Sequence, residues 1–196
     1  MASRPRGYGL TAELSNKMNS KYDDHMELEA RHWIEDVIGE PIGSGDRNTP
    51  LGMKGFHEAL KDGRILCRLI NVLQPNSVKK INDSKMAFKM MENIGNFLEA
   101  CERYGVNKVD LFQTVDLYES QNMASVVNGI HALGRMAQKK GFHGPVLGPK
   151  EASSNVREFT EEQMKAGQGV IGLQMGTNKG ASQAGMSFGK TRHIID

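Results

Sequence analysis

Two glycine-rich segments near the C-terminus have the spacing of motifs that could do chemistry. Gly167–Gly172, GQGVIG, has the spacing of a dinucleotide-binding loop, and Gly180–Gly185, GASQAG, resembles a nucleophile elbow with one residue too many. The first motif needs a strand before it and a helix after it, so that a helix N-terminus faces the pyrophosphate. The second motif needs an α/β sheet. Neither setting is predicted here, so we expect no nucleotide cofactor and no esterase-type nucleophile.

The residues that could bind metal or phosphate are too dispersed to form a site. His25 and His32 fall on one face of a predicted helix, but no cysteine or third ligand stands at zinc spacing. Asp23 and Asp46 fit no calcium-loop pattern. The segment GSGD at 43–46 lacks the Gly-Lys-Ser/Thr ending that grips phosphates. The sequence therefore predicts no metal and no cofactor, and an enzymatic function has no support.

The composition argues against a nucleic-acid-binding, membrane-spanning or secreted protein. The chain has 196 residues with 25 basic and 23 acidic side chains, a balance that does not indicate a nucleic-acid binder. No apolar run approaches the roughly 18 residues of a membrane span, and the N-terminus has no apolar stretch typical of a secretory signal. We expect a cytoplasmic protein whose two cysteines are reduced and act as small buried hydrophobes, with a redox-sensing pair as the alternative.

One helix organises the positions of the other elements. In the segment Leu60–Pro75 an apolar stripe recurs at helical spacing, formed by Leu66, Leu69, Ile70 and Leu73. Asp62 is the expected N-cap, Gly63 allows a sharp turn, and Pro75 ends the helix. The side chains off the stripe, which we expect to face water, are Arg64, Arg68 and Asn71. Such a stripe needs partner helices to cover it.

The partner helices are predicted between residues 24 and 141. The segments are a helix at Asp24–Ile38, a turn at Met53–Ala59, a helix from Ser84 to Gly105, a connector at Asp110–Glu119, and a helix from Asn122 to Gly141. Ser84 and Asn122 are the expected N-caps, and Val115 is among the connector residues expected to be buried. With no convincing alternating strand, these helices predict an all-α domain.

The composition changes beyond this domain. From Gly144 to Asp196 there are nine glycines and too few apolar residues for a core. A helical turn is predicted at Phe159–Lys165 with Thr160 as its cap, and the remainder is expected to be mobile when free. The predicted division is an N-terminal arm at 1–23, the helical domain at 24–141, a linker at 142–164 and a C-terminal segment at 165–196.

Two parts of the chain resemble a known family. The segments LKDGRILCRLINVLQP, MAFKMMENIGNFLEACERYGV and DLFQTVDLYESQNMASVVNGIHALGR resemble a calponin-homology domain over about Asp24–Gly141. The segment GVIGLQMGTNKGASQAGMSFGKTRHI is similar to the calponin-like repeat, and this match is the more specific of the two. One such domain with one such repeat is typical of the transgelin and calponin family.

The resemblance implies both a fold and a function. The fold is a calponin-homology helical domain with a flexible N-terminal arm and a mostly unstructured Gly-rich C-terminal tail. The function is that of a non-enzymatic, cytoplasmic, cytoskeleton-associated protein, common in muscle, whose partner is F-actin. The repeat would carry most of the affinity. An adaptor whose helical domain docks a regulatory protein is the alternative, and neither nucleic acid nor a membrane span is expected.

The expected actin contacts lie mostly in the repeat. Between Lys165 and Ile195 four side chains are basic and none is acidic, and apolar residues are interleaved with them. Such a strip suits an acidic filament. The expected contact residues are Lys165, Ile171, Gly172, Leu173, Gln174, Met175, Gly176, Thr177, Asn178, Lys179, Lys190 and Arg192.

Cross-linking of filaments needs a second actin site or a dimer. Lys79, Lys80 and Lys21 are the candidates for a second contact. Ser182 follows Lys179 by three residues and Thr191 lies between two basic residues, so both are candidates for phosphorylation. A phosphate on either residue would remove about half of the positive charge of the strip.

Overall fold

Helices account for every regular element in the part of the chain that the structure describes. This structure is a computed structural model, and it describes residues 10–152 and 156–168. The helices are α1 Leu10–Asn19, α2 Asp24–Ile38, α3 Gly52–Leu60, α4 Arg64–Leu73, α5 Ala87–Tyr104, α6 Thr114–Tyr118, α7 Met123–Lys139 and α8 Glu161–Gln168, with a short 3-10 helix at Lys108–Asp110. The prediction of an all-α fold is confirmed. Two compact units divide at residue 152.

Helix α4 lies at the centre of the first unit. Leu66, Leu69 and Ile70 are fully buried, as the stripe predicts, and Leu73 is partly buried. The helix packs against α2, α3 and α5. Because these contacts cover the stripe except for part of Leu73, the core forms around this helix rather than beside it.

The start of α4 corrects the predicted cap. Gly63, with φ of 70°, is the N-cap, while Asp62 Oδ1 accepts a hydrogen bond from Arg64 N at 2.9 Å. A Cβ at position 63 would lie 2.9 Å from both Asn93 Cβ and Ile94 N. The left-handed φ and the close approach of α5 therefore both require glycine here.

Asn71 is only partly exposed, and its side chain is not left to water as predicted. Its side-chain amide donates to Val78 O at 2.9 Å and accepts from Val78 N at 2.8 Å. The loop that follows Pro75 is therefore fastened to α4. Apolar periodicity does not reveal such a contact, because it depends on a residue seven positions away.

Helices α2 and α7 complete the core and confirm the predicted boundaries closely. Helix α2 has the predicted bounds, is capped by Asp23 and ends at Gly39 with φ of 77°. Helix α7 is capped by Asn122, whose Oδ1 accepts from Ser125 N at 3.2 Å. Helix α1 packs against α7, so residues 10–19 of the predicted N-terminal arm form a helix that contacts the domain.

Two local predictions were wrong. Helix α5 begins at Ala87 with Met86 as its N-cap, and Ser84 only accepts a hydrogen bond from Met86 N at 3.3 Å. Val115 is 36% exposed, although Leu117 is fully buried. Residues two apart on a helix point about 200° apart, so the short helix α6 buries one of the two side chains and exposes the other.

Residues 142–149, which we call the strap, pack onto α2 and α7. Leu147 is 3% exposed, and Trp33 Nε1 donates to Pro145 O at 2.9 Å. Gln138 Nε2 donates to Leu147 O at 2.8 Å and to Gly148 O at 2.9 Å. A Cβ on Gly134 would lie 2.6 Å from Leu147 Cβ. The sequence assigned the strap to the linker, and its packing was not anticipated.

Helix α8 belongs to the second unit and begins with a capping box. Thr160 Oγ1 accepts from Gln163 N at 3.3 Å, and Gln163 Oε1 accepts from Thr160 N at 3.1 Å. The helical turn predicted with Thr160 as its cap is confirmed. Because every described side chain from 156 to 166 is exposed, these local hydrogen bonds are what define the start of the helix.

Candidate functional site

A row of charged side chains on α2 is buried, and sequence analysis missed it. Glu27 is 0%, Arg31 1% and Glu35 7% exposed. Arg31 Nε lies 2.9 Å from Glu35 Oε1, and Arg31 Nη1 donates to Thr49 O at 2.7 Å. Glu27 Oε1 accepts from Leu51 N at 2.8 Å. The only signal in the sequence was the spacing of four residues between these charges.

This buried row holds the loop between α2 and α3 in place. Glu35 Oε1 also accepts from Ile42 N at 3.2 Å, and Arg47 Nε lies 3.3 Å from Glu35 Oε2. Arg47 also pairs with Asp36. Because these charges are directed at loop backbone and at one another, the row has the arrangement of a structural clamp. A group that exchanges protons with a substrate would need an open face that these residues lack.

The two cysteines have the environment of core residues. Both are free and buried, and the Cys67 thiol contacts Asn93 O at 3.2 Å. Burial raises the pKa of Cys67 to about 12, and burial also raises the pKa of Cys101. Because the thiolate is the reactive form, neither residue is activated. The prediction that they act as small buried hydrophobes is confirmed.

The described residues also contain little that could bind a metal or cross a membrane. No group of three or more His, Cys, Asp and Glu side chains is gathered as a metal site within 10–152 and 156–168. No helix in those ranges is both long and apolar enough to span a membrane. In the first unit, the places where a partner or ligand could bind are surface clefts and charged loops.

The loop between α4 and α5 presents one of these surfaces, and three cationic side chains line it. Lys79 and Lys80 are exposed and line a cleft of about 310 Å³ with Arg103 and Glu99. Arg103 Nη2 donates to Ser77 O at 3.0 Å, so the cationic side chain also supports the loop. The structure therefore brings Lys79, Lys80 and Arg103 together on one rigid surface.

The charges around this loop are unevenly neutralised. Lys89 donates to Glu92 Oε2 at 2.8 Å, and this hydrogen bond holds the pKa of the Glu92 carboxyl below its ordinary range. Asp83 pairs with Arg64 at 2.8 Å. In the part of the chain described by the structure, Lys79 and Lys80 form no ion pair. Together with Lys85, which is also exposed and forms no ion pair there, these two lysines are cations of the loop that a partner could contact.

The other predicted contact residues are not brought to this surface. Lys21 is exposed just after α1 and does not line the cleft, and Lys165 is exposed on α8 in the second unit. The remaining predicted residues lie outside the described ranges: Ile171, Gly172, Leu173, Gln174, Met175, Gly176, Thr177, Asn178, Lys179, Ser182, Lys190, Thr191 and Arg192.

Comparison with known families matches both predicted parts of the chain. A calponin homology (CH) domain matches residues 24–139, and a calponin family repeat matches residues 171–194. Among solved structures, the calponin-homology domain of Rng2 from Schizosaccharomyces pombe aligns with a TM-score of 0.54 and 27% identity. That alignment covers 76% of this chain and 88% of the other.

Curated relatives extend the similarity over nearly the whole chain. Myophilin of Echinococcus granulosus is 48% identical over 100% of both chains. Muscle-specific protein 20 of Drosophila melanogaster is 51% identical over 91% of this chain and 94% of that protein. Calponin-2 of Sus scrofa is 48% identical over 96% of this chain but 61% of its own length. With a calponin-homology domain followed by a calponin repeat, the chain belongs to the transgelin and calponin family.

Proposed function

We propose that this protein is a non-enzymatic cytoskeletal protein that binds F-actin mainly through residues 165–196. The observation that carries the proposal is the calponin family repeat at 171–194. It lies in a segment, Lys165 to Ile195, with four basic and no acidic side chains. A cationic segment with interleaved apolar residues is complementary to an acidic filament. Relatives named for muscle and calponin support the same function.

Cross-linking or stabilising of filaments would use a second contact on the first unit. Lys79 and Lys80 are the candidates that the geometry favours, because both line one cleft beside Arg103 and neither forms an ion pair within the described ranges. Lys21 remains a separate candidate at the end of α1. One chain with a single actin site could decorate a filament but could not join two filaments.

Co-sedimentation with F-actin at low salt tests the proposal directly. Three samples are compared: the full chain, residues 1–152 and actin alone. Truncation at 152 keeps the strap and the ion pair between Lys139 and Glu151 at 3.0 Å, so the helical unit stays intact. We expect the full chain to pellet and 1–152 to remain largely in the supernatant. Failure of the full chain to pellet would contradict the proposal.

The second contact is tested by bundling rather than by binding. Lys79→Gln combined with Lys80→Gln should reduce low-speed sedimentation of actin bundles while high-speed co-sedimentation changes little. The matched control is Lys54→Gln combined with Lys150→Gln, since both lysines are exposed, lie outside the loop between α4 and α5, and form no ion pair within the described ranges. Equal bundling by the two double variants would exclude the Lys79 and Lys80 surface as the second contact.

The adaptor alternative places the partner on the helical domain. It is favoured by one observation: residues 1–152 form a compact unit with a core of their own. In that case deletion of residues 165–196 would leave cellular targeting unchanged. Loss of filament association on the same deletion would favour the actin-binding proposal.

A further inference from the structure

The C-terminal ends of three helices line a surface cleft. This cleft contains none of the residues proposed to contact actin. The cleft measures about 440 Å³. Its lining residues are Leu73, Gln74, Pro75, Tyr104, Lys140, Gly141, Phe142 and His143. Leu73 and Tyr104 are the last residues of α4 and α5, and Lys140 is the C-cap of α7. The cleft is thus built from rigid elements on three sides.

Tyr104 supplies an unused hydrogen-bond donor in this cleft. Its side chain lines the cleft although the residue is only 4% exposed. Its hydroxyl has no hydrogen-bond partner among the residues that the structure describes, and it is not sealed from solvent as the Tyr22 hydroxyl is. Burial raises the pKa of Tyr104, so the phenol keeps its proton and remains a donor. A ligand in the cleft could therefore accept a hydrogen bond from this hydroxyl.

One cationic side chain, that of Lys140, lies at this cleft. Lys140 Nζ lies 4.5 Å from the centroid of the Tyr104 ring, which fixes the ammonium at the rim. Within the described ranges Lys140 forms no ion pair, and no carboxylate is among the lining residues. His143 is exposed beside it.

Helix C-termini carry partial negative charge, but here much of that charge is satisfied internally. Gly105 N donates to Glu102 O at 3.0 Å at the end of α5. Phe142 N donates to Ala137 O at 3.0 Å at the end of α7. Backbone N–H groups thus occupy one of the last carbonyls at each of these two helix ends.

The remaining wall of the cleft is apolar. Leu73 and Phe142 are partly buried and pack on the core, and Pro75 lies beside Leu73. An anion as small as phosphate would leave this wall uncovered. A ligand that carries both an acidic and an apolar group would cover it and satisfy the donor and the cation together.

We infer that this cleft binds a linear acidic peptide segment in which an apolar side chain adjoins a carboxylate. The carboxylate pairs with Lys140 and accepts the hydrogen bond from the Tyr104 hydroxyl, while the apolar side chain packs against Leu73 and Phe142. The volume admits two or three side chains, which suits a short linear segment. This inference stands apart from the proposed actin contact through the repeat.

Amide NMR spectra of the full chain test the inference with a defined probe, the peptide acetyl-EELFEE-amide. We expect saturable shifts of the amides of Gly105, Gly141 and Phe142. Tyr104→Phe, which removes only the hydroxyl, should weaken binding by about threefold to tenfold. Lys140→Gln should weaken it by a similar factor. The matched control is Lys139→Gln, because the neighbouring lysine pairs with Glu151 instead, and it should bind as the wild type does.

Several outcomes would overturn the inference. One is the absence of saturable shifts up to about 5 mM peptide, beyond the range of weak specific binding. A second is equal binding of the neutral peptide acetyl-QQLFQQ-amide, and a third is equal affinity for inorganic phosphate at the same amides. A fourth is unchanged binding by Lys140→Gln. If Tyr104→Phe fails to fold, the surface variant Lys140→Gln decides alone.

Discussion

At the scale of single residues, Arg31 is a charged side chain held almost wholly inside the core. Its guanidinium is enclosed between a buried carboxylate and two loop carbonyls. An arginine is suited to this place because its planar group donates in several fixed directions at once. Removing Arg31 therefore takes away the closest cation of Glu35 and two hydrogen bonds to the loop.

Replacement of Arg31 by methionine should destabilise the first unit strongly. Arg31→Met keeps the apolar volume but leaves the buried Glu35 carboxylate with the half-exposed Arg47 as its only cationic partner within the described residues, which costs about 3–5 kcal/mol. The control is Arg47→Gln, whose side chain is 50% exposed, and which should cost about 1 kcal/mol or less. Urea unfolding measures both. If Arg31→Met were as stable as wild type, the buried row would not be holding the loop.

The buried thiol of Cys67 should make stability fall in alkali. Its pKa is about 12 in the folded chain against an ordinary value of 9.0. Because the folded pKa is raised, the stabilisation is complete below about pH 9 and is lost as pH rises through about 12. Between these values the group contributes a slope of about 1.4 kcal/mol per pH unit. Urea unfolding of Cys67→Ala should show a shallower decline than wild type. Identical slopes would contradict the assignment.

At the scale of elements, the strap determines where the helical unit ends. Leu147→Ala should lower stability by about 2–4 kcal/mol, since it removes a side chain that is 3% exposed. The neighbouring control Val146→Ala changes a side chain that is 69% exposed and should have little effect. Trp33, the single tryptophan, contacts the strap and reports its release by fluorescence. Equal melting of the two variants would show that the strap is not part of the fold.

Helix bounds and caps could be predicted from the sequence, whereas contacts between helices and loops could not. Helix α2 has the predicted bounds and Asn122 and Thr160 cap as expected, because these signals are local in the chain. Gly63 replaces Asp62 as a cap because α5 approaches it, and Asn71 turns inward to meet Val78. Leu147 lies in a Gly/Pro-rich run, GPVLGP, that shows neither helical nor strand periodicity and therefore predicts a loop. Each of these three misses depends on a contact with a residue outside the local pattern, whereas the wrong prediction for Val115 follows from the local geometry of α6.

At the scale of the whole molecule, the candidate site was only partly predictable. Lys79 and Lys80 were named from the sequence, and the structure adds Arg103 beside them through the packing of α5 against the loop. The cleft at Tyr104 gave no signal at all, because its residues come from three helix ends. The repeat was recognised from its residue pattern, and the charge of that segment follows from the sequence alone.

Phosphorylation in the repeat should act on actin binding and leave folding unaffected. A Ser182→Glu variant adds negative charge to a segment with four basic side chains, so it should weaken actin co-sedimentation. Ser182→Ala should bind as the wild type does. Melting of the helical unit should be the same for all three proteins, since Ser182 lies outside that unit. Full pelleting of the Ser182→Glu variant at matched salt would rule out a charge switch at this residue.

The central claim is that the basic charges of the repeat hold this protein on actin. The most direct measurement compares the affinity for F-actin of two triple variants with the same net charge. One carries Lys179→Gln, Lys190→Gln and Arg192→Gln, and the other carries Lys54→Gln, Lys85→Gln and Lys150→Gln at exposed positions of the first unit. We predict that the repeat variant loses at least about tenfold in affinity at low salt, while the control variant stays within about twofold of wild type. Equal affinities, or a greater loss in the control variant, would contradict the claim.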